Sequence, residues 1–199
     1  DFSPKALILS GGPASTTIKK PLKPDTSIYS LNIPILGICY GHQLLCKYLG
    51  GNVINSKKRE FGKAFIKIKK NSKIFEGIYK KDNKYQVWMS HGDKVSKLPK
   101  SFSVIASTIN AKFAAIANEH KRIYGLQFHP EVIHTLNGER ILENFTKKIS
   151  SCKSNWKISD FIKNSLVKIK EEVKNHNVIC ALSGGVDSSV TAALLHKSI

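Results

Sequence analysis

Cys39, in Gly37-Ile38-Cys39-Tyr40-Gly41-His42-Gln43, and the pair His129 and Glu131, in Phe128-His129-Pro130-Glu131, are residue types that can do nucleophilic chemistry together. A thiol attacks a carbonyl carbon once a neighbouring base takes or shares its proton, and a carboxylate can steer that base. His129 and Glu131 are two residues apart, so at a strand end both point the same way, and Pro130 stiffens the spacing between them. A second group, Ser183-Gly184-Gly185-Val186-Asp187-Ser188-Ser189, offers a different chemistry. Its two glycines let backbone N–H groups converge on an anion at a helix start. It has no lysine to reach a γ-phosphate, so it is not a Walker loop.

The elements that must present these groups follow from the apolar pattern. Ala6 to Ser10 is a short apolar run ending in the Gly11-Gly12-Pro13 turn, and Pro34 to Ile38 is another; both read as buried strands. Leu44, Leu45, Tyr48 and Leu49 then recur at helical spacing, and Gly50-Gly51 stops that helix. Strands are predicted over 61–68, 85–89, 102–106, 113–117 and 123–128, with an amphipathic helix over 138–149. Cys39 thus falls on a sharp strand-to-helix turn, where Gly37 and Gly41 permit close packing. That is the edge at which α/β sheets place their ligands. A developing oxyanion finds a donor in the Tyr40 N–H, and a second in the Gly11-Gly12 turn.

Beyond residue 150 the character changes. Ser150 to Asn155 reads as a polar linker, and Ser159-Asp160 as the cap of a helix reaching Val173. Val178 to Leu182 reads as a buried strand, followed by the glycine loop and a helix through Leu195. The predicted class is therefore α/β, with two parts. Residues 1–150 form a domain with a central, mostly parallel sheet flanked by helices. Residues 151–199 are the opening helix, strand, loop and helix of a second α/β domain.

Composition narrows the rest. The chain has 199 residues, 41% of them hydrophobic, and no apolar run approaches the roughly 18 residues that span a bilayer. The N-terminus shows no leader pattern, and Cys39, Cys46, Cys152 and Cys180 suggest no disulfide framework, so a reducing, cytoplasmic setting is expected. Cys39, His42 and Cys46 could share a helix face as metal ligands, but the turn before Gly41 takes Cys39 off the helix. The net charge of +18 is spread in short lysine pieces with no nucleic-acid motif beside them, so no specific nucleic-acid partner is expected. No membrane partner is expected either.

With these residues in view, Gly37 to Gln43, Ser10-Gly11-Gly12-Pro13 and Phe128 to Glu131 resemble the signature blocks of the triad-type (class I) glutamine amidotransferases. The resemblance implies that Cys39, His129 and Glu131 hydrolyse glutamine through a thioester, with Gly12 and Tyr40 supplying the oxyanion donors. It also implies that Gln43, Ser90, His91, Gly92 and Asp93 bind glutamine, Asp93 meeting its ammonium. No tightly bound cofactor is implied there. Residues 183–189 resemble the pyrophosphate loop of the ATP pyrophosphatases, so Ser183, Gly184, Gly185, Val186, Asp187, Ser188 and Ser189 are implied to hold ATP, with Asp187 near magnesium. The order of the two is similar to that in the GMP-forming amidotransferases, as are Arg59-Glu60-Phe61-Gly62 and Gln86 to Val95. Those enzymes pass ammonia to XMP activated by ATP.

Such a domain usually opens with a strand and helix that do not precede Asp1, and the second domain stops at Ile199 without the parts that bind XMP or form a homodimer. The expectation is a fragment that at most hydrolyses glutamine. Two alternatives stay open: the glutaminase component of another amidotransferase, and a catalytically silent interaction module.

Overall fold

The computed structural model describes residues 3–154 and 157–199, without the side chains of Lys57 and Lys58. Asp1-Phe2 of the leader reading, Asn155 of the linker and the Lys57-Lys58 side chains lie outside the described residues. The chain divides into two units, Asp1–Cys152 and Lys153–Ile199.

In the first unit the strands are β1 (Leu7–Leu9), β2 (Ile35–Ile38), β3 (Asn52–Ile68), β4 (Lys84–Lys97), β5 (Ser103–Ser107), β6 (Ala115–Asn118) and β7 (Ile123–Leu126). They form one sheet in the order β1-β2-β7-β6-β5-β3-β4. Helix α1 (Tyr40–Tyr48) follows β2, and α2 (Gly138–Glu143) continues as a wider π turn over Asn144–Ile149.

The α/β class stands, with one correction: β1, β2 and β7 run parallel, while β7 through β4 are paired antiparallel. The connections explain it. Residues 119–122 link β6 to β7, and residues 108–114 link β5 to β6; both are too short for the crossover of a dozen or more residues that parallel pairing needs. The parallel part is what matters for the site. β2 and β7 are buried at every position, in register at Gly37 and Gly125, and β1 pairs with β2 from Leu7 to Leu9. Three neighbouring strands that run the same way deliver the residues after their C-termini to one edge: Ser10–Pro13, Cys39 and Phe128–His129.

Both faces of this part are covered. Ile141 and Phe145 are fully buried and join Leu36, Ile38, Tyr124 and Leu126 in the main core. On α1, Leu45 packs with Ile35 and Ile123, and Cys46 with Val53, Val95 and Ile116. The helix ends where expected: Gly51 N–H bonds back to Cys46 O at 2.7 Å, closing a Schellman-type turn.

β3 and β4 are longer than their alternation suggests. β4 runs on from Met89 through Ser90-His91-Gly92-Asp93, whose polar side chains mask the strand pattern because they line a cleft instead of the core. β3 carries a register shift between Asn55 and Glu60.

The second unit contains α3 (Ile158–Val173) and α4 (Val186–Ser198). The N-cap of α3 is Lys157, so Ser159 and Asp160 lie inside the first turn, and no side chain caps that end. Val178–Leu182 forms no ladder, contrary to the predicted buried strand, and Ile179 is fully exposed. A strand needs a hydrogen-bonded neighbour, and among the described residues this unit has none. Among the described residues, no helix is long and apolar enough to cross a membrane.

Candidate active site

The cysteine turn is a strained elbow. Cys39 adopts φ 50, ψ −102 as the N-cap of α1, an arrangement that costs on the order of 1–3 kcal/mol for a residue with a side chain. Backbone bonds on both sides over-determine it: Cys39 N–H donates to Leu126 O at 2.7 Å, Gly41 N–H to Ser10 O at 3.2 Å, and Gln43 N–H to Cys39 O at 3.1 Å. The elbow is thereby fastened to β7 and to the loop after β1.

His129 and Glu131 arrive from the end of β7. His129 N–H bonds Trp88 O at 3.0 Å, which ties the segment to β4, and its Nδ1 lies 2.6 Å from Glu131 Oε1. Nε2 is buried and makes no hydrogen bond. Gly11 lies between the two halves: a Cβ there would stand 2.9 Å from His129 Cε1 and 3.6 Å from Cys39 Cβ. Imidazole and cysteine thus flank the same bare glycine. The adjoining Cys39 sulfur, and then Glu131, outweigh burial and push the His129 pKa up to about 10. Burial would raise the Glu131 pKa, but its bond from His129 holds it below the ordinary carboxylate value.

Cys39 and His129 face one cleft of about 570 Å³, while Glu131, on the far ring nitrogen of His129, is outside its lining. Gly12, Tyr40, Gln43, Ser90, His91, Gly92 and Asp93 all line it. Gly12 sits against the Tyr40 ring, where a Cβ would lie 3.9 Å from Tyr40 Cγ, so the two proposed oxyanion donors are neighbours. Cys39 Sγ donates to Ser90 O at 3.3 Å. Asp93 is buried, and its carboxylate accepts from the Ser15 hydroxyl and, at 3.0 Å, from Asn55 Nδ2. Among the described residues it has no cationic partner, which leaves its charge unmatched beside the cleft.

Two residues of the expected glutamine-binding set also have partners inside the protein. The His91 ring is not free, because Nδ1 faces Asp93 O at 2.9 Å and Nε2 faces Glu60 Oε2 at 3.2 Å. Gln43 Nε2 is spent on Asp93 O at 3.0 Å. Both residues still line the cleft.

Ser15 and Asn55 also line the cleft, outside every motif read from the sequence. Gln127 is buried under the sulfur and donates to Cys39 Sγ at 3.8 Å. Its place just before Phe128 was the available signal; Ser15 and Asn55 reach the site only through the tertiary fold.

His42 packs inside, over Gly125, with both ring nitrogens buried and unbonded. His134 lies outside the cleft, its ring 4.5 Å from that of Trp88. Burial pushes the His42 pKa down to about 3. Unfolding lets this histidine charge at its ordinary value, so stability falls as pH drops below about 6.5. Between pH 7 and pH 5 the loss amounts to about 2 kcal/mol. His42→Leu should therefore flatten the acid limb of a plot of melting temperature against pH, and an unchanged acid limb would refute this assignment.

In the second unit, Gly184 has φ 82 and Gly185 is the N-cap of α4. Ser183 and Ser188 hydroxyls meet at 3.1 Å, and Ser188 Oγ donates to Gly185 O at 3.0 Å. The loop is exposed, with Asp187 in the first helical turn.

Residues 1–149 match the class-I glutamine amidotransferase family, and residues 176–199 match the tRNA methyl transferase HUP domain. The chain is 50% identical over 198 residues to GMP synthase (glutamine-hydrolyzing) of Bartonella henselae, a match covering 100% of this chain and 38% of that protein. It is 48% identical over 199 residues to the Brucella melitensis protein of the same name, covering 100% of this chain and 39% of the other. It thus spans about two fifths of the length of the curated relatives it matches. A solved Thermoplasma acidophilum structure, named for a GMP synthase subunit, superposes with TM-score 0.63 at 30% identity, over 80% of this chain and 76% of that one. With a match over 149 of its residues and the cysteine elbow in place, the chain belongs to the class-I glutamine amidotransferase family.

Proposed function

We propose that this chain hydrolyses glutamine to glutamate and ammonia, and that in the longer protein the ammonia converts XMP to GMP at the expense of ATP. The observation that carries the first part is the cleft itself: an elbow cysteine, an imidazole held by Glu131, and a buried carboxylate with no cation partner among the described residues.

The chemistry follows from those places. Asp93, with Ser15 and Asn55 on its oxygens, takes the glutamine ammonium, and Ser90 to Gly92 and Gln43 bound the rest of the pocket. Cys39 passes its proton to His129 Nε2 and attacks the side-chain carbonyl carbon as the thiolate. The oxyanion sits between the backbone N–H groups of Gly12 and Tyr40. As the C–N bond breaks, protonated His129 gives its Nε2 proton to the departing ammonia, and Glu131 stabilises the charge on the ring. Water then attacks the thioester, giving its proton to His129, and glutamate leaves.

The second half of the proposal rests on the similarity to the longer relatives and on the glycine loop. We assign residues 1–150 to the glutaminase and 151–199 to the start of an ATP pyrophosphatase domain. Ser183 to Ser189, open on a helix N-terminus, would receive the pyrophosphate end of ATP. Asp187 would help hold magnesium, whose charge offsets that of the phosphates. The site is assigned to the cytoplasm, where glutamine, ATP and XMP are available and Cys39 stays reduced.

A diazoketone analogue of glutamine should label Cys39 in preference to Cys46, Cys152 and Cys180, and free glutamine should slow that labelling. Mass spectrometry of the modified chain reads this directly. Labelling of the other cysteines with Cys39 untouched would favour a silent interaction module instead.

A further inference from the structure

Behind the cleft lies a buried polar network that the proposed reaction does not use. Glu60 is placed by the register shift in β3, which turns its side chain inward to face its cross-strand partner His91. Its side chain is 10% exposed and that of His91 is 2% exposed. The carboxylate lies 3.2 Å from His91 Nε2, and accepts from Thr108 Oγ1 at 3.1 Å and from Asn110 Nδ2 at 3.3 Å. Thr108 and Asn110 belong to the β5–β6 connection, so three separate segments meet at this one carboxylate.

The network ends on the cleft wall. His91 Nδ1 reaches across Gly92 to Asp93 O at 2.9 Å, the same carbonyl that accepts from Gln43 Nε2. Both partners of His91 are acceptors, so the ring must donate from both nitrogens to make both bonds. Glu60 supports this arrangement: burial would raise its pKa, but the bonds from His91, Thr108 and Asn110 hold it below the ordinary value. The strand so fixed carries Ser90 O against the Cys39 sulfur and the Asp93 carboxylate at the proposed ammonium site.

We propose that Glu60 is a positioning residue for glutamine binding, acting through His91 to hold Ser90–Asp93 at the depth the substrate requires. The inference rests on the glutamine-hydrolysing reading of the cleft. Glu60 touches no reacting atom; what it supplies is a rigid wall.

Glu60→Gln in the full chain tests it, because the side chain keeps its shape and loses its charge. Amide exchange over Ser90–Asp93 should quicken while exchange at the core strands β2 and β7 stays as in the wild type. The KM for glutamine should rise about tenfold or more, by analogy with the loss of a group that orients a metal ligand, with kcat changed far less. Should Glu60→Gln fail to fold, Asn110→Ala removes one donor from the same carboxylate and should show the same two changes at smaller size. An unchanged KM, or unchanged exchange over Ser90–Asp93, overturns the proposal. If the wild type hydrolyses no glutamine, the proposed function falls by itself, and exchange alone decides whether Glu60 holds the strand.

Discussion

Replacing Cys39 with alanine should lower glutamate release from glutamine by about 10⁴-fold or more, the loss seen when a nucleophile is taken from a three-residue catalytic unit. The sulfur has no second candidate in the cleft, because Cys46 is buried in the core under α1 and its thiol pKa is pushed up to about 12 by burial. The fold should not suffer. Cys39 Sγ donates to Ser90 O, takes a long contact from Gln127 and adjoins the His129 ring, while the elbow itself is held by backbone bonds. Melting temperature should therefore stay close to the wild type while activity disappears. His129→Ala should cost nearly as much, and the double variant little more than either single one, since the two act as a unit. The same assay gives a sign for pH. His129 keeps its proton until about pH 10, so the alkaline limb of the rate profile lies there. Glu131→Gln removes one of the groups that stabilise the imidazolium and should move that limb to lower pH. A Cys39→Ala protein that releases glutamate at the wild-type rate would sink the proposed function.

Gly41→Ala should cost about 3 kcal/mol of stability in the first unit. A Cβ at Gly41 would lie 2.0 Å from Leu9 O and 2.6 Å from Leu9 C, and these are backbone atoms of β1 that cannot swing aside. Either β1 moves off β2 or the elbow opens, and both undo the Gly41 N–H to Ser10 O bond. For a unit of this size the melting temperature should fall by roughly 6–12 °C. Gly92→Ala is the internal control for stability: its nearest neighbour is Arg59 Nε at 3.7 Å, an ordinary contact. Equal melting temperatures for Gly41→Ala and the wild type would show that α1 is not clamped onto β1 as described.

Much of this could be read from the sequence because the informative features are local. A short apolar strand, a glycine-framed cysteine and a helix with Leu44 and Leu45 on one side specify the elbow without reference to the rest of the chain. His129-Pro130-Glu131 likewise carries its own geometry, since neighbours two apart fall within reach of each other at a strand end. The glycine loop before α4 is legible for the same reason. Where local pattern misled, a partner was the missing quantity. Val178–Leu182 has strand composition, yet forms no ladder, because pairing depends on a second strand. The sheet was expected to be mostly parallel, and short connections made its larger part antiparallel.

The sequence by itself determined which atoms could react: a thiol on a turn, an imidazole with its carboxylate, and a loop of backbone donors at a helix start. Only the tertiary structure decided that the thiol and the imidazole share a cleft, since β1, β2 and β7 must lie side by side and parallel before their ends converge. It also decided that Ser15 and Asn55 support Asp93, that Glu60 backs His91, and that His42 is stranded in the core. The physical reason is distance along the chain. Contacts between residues tens of positions apart are set by strand order and register, which depend on how all the segments bury their apolar faces together.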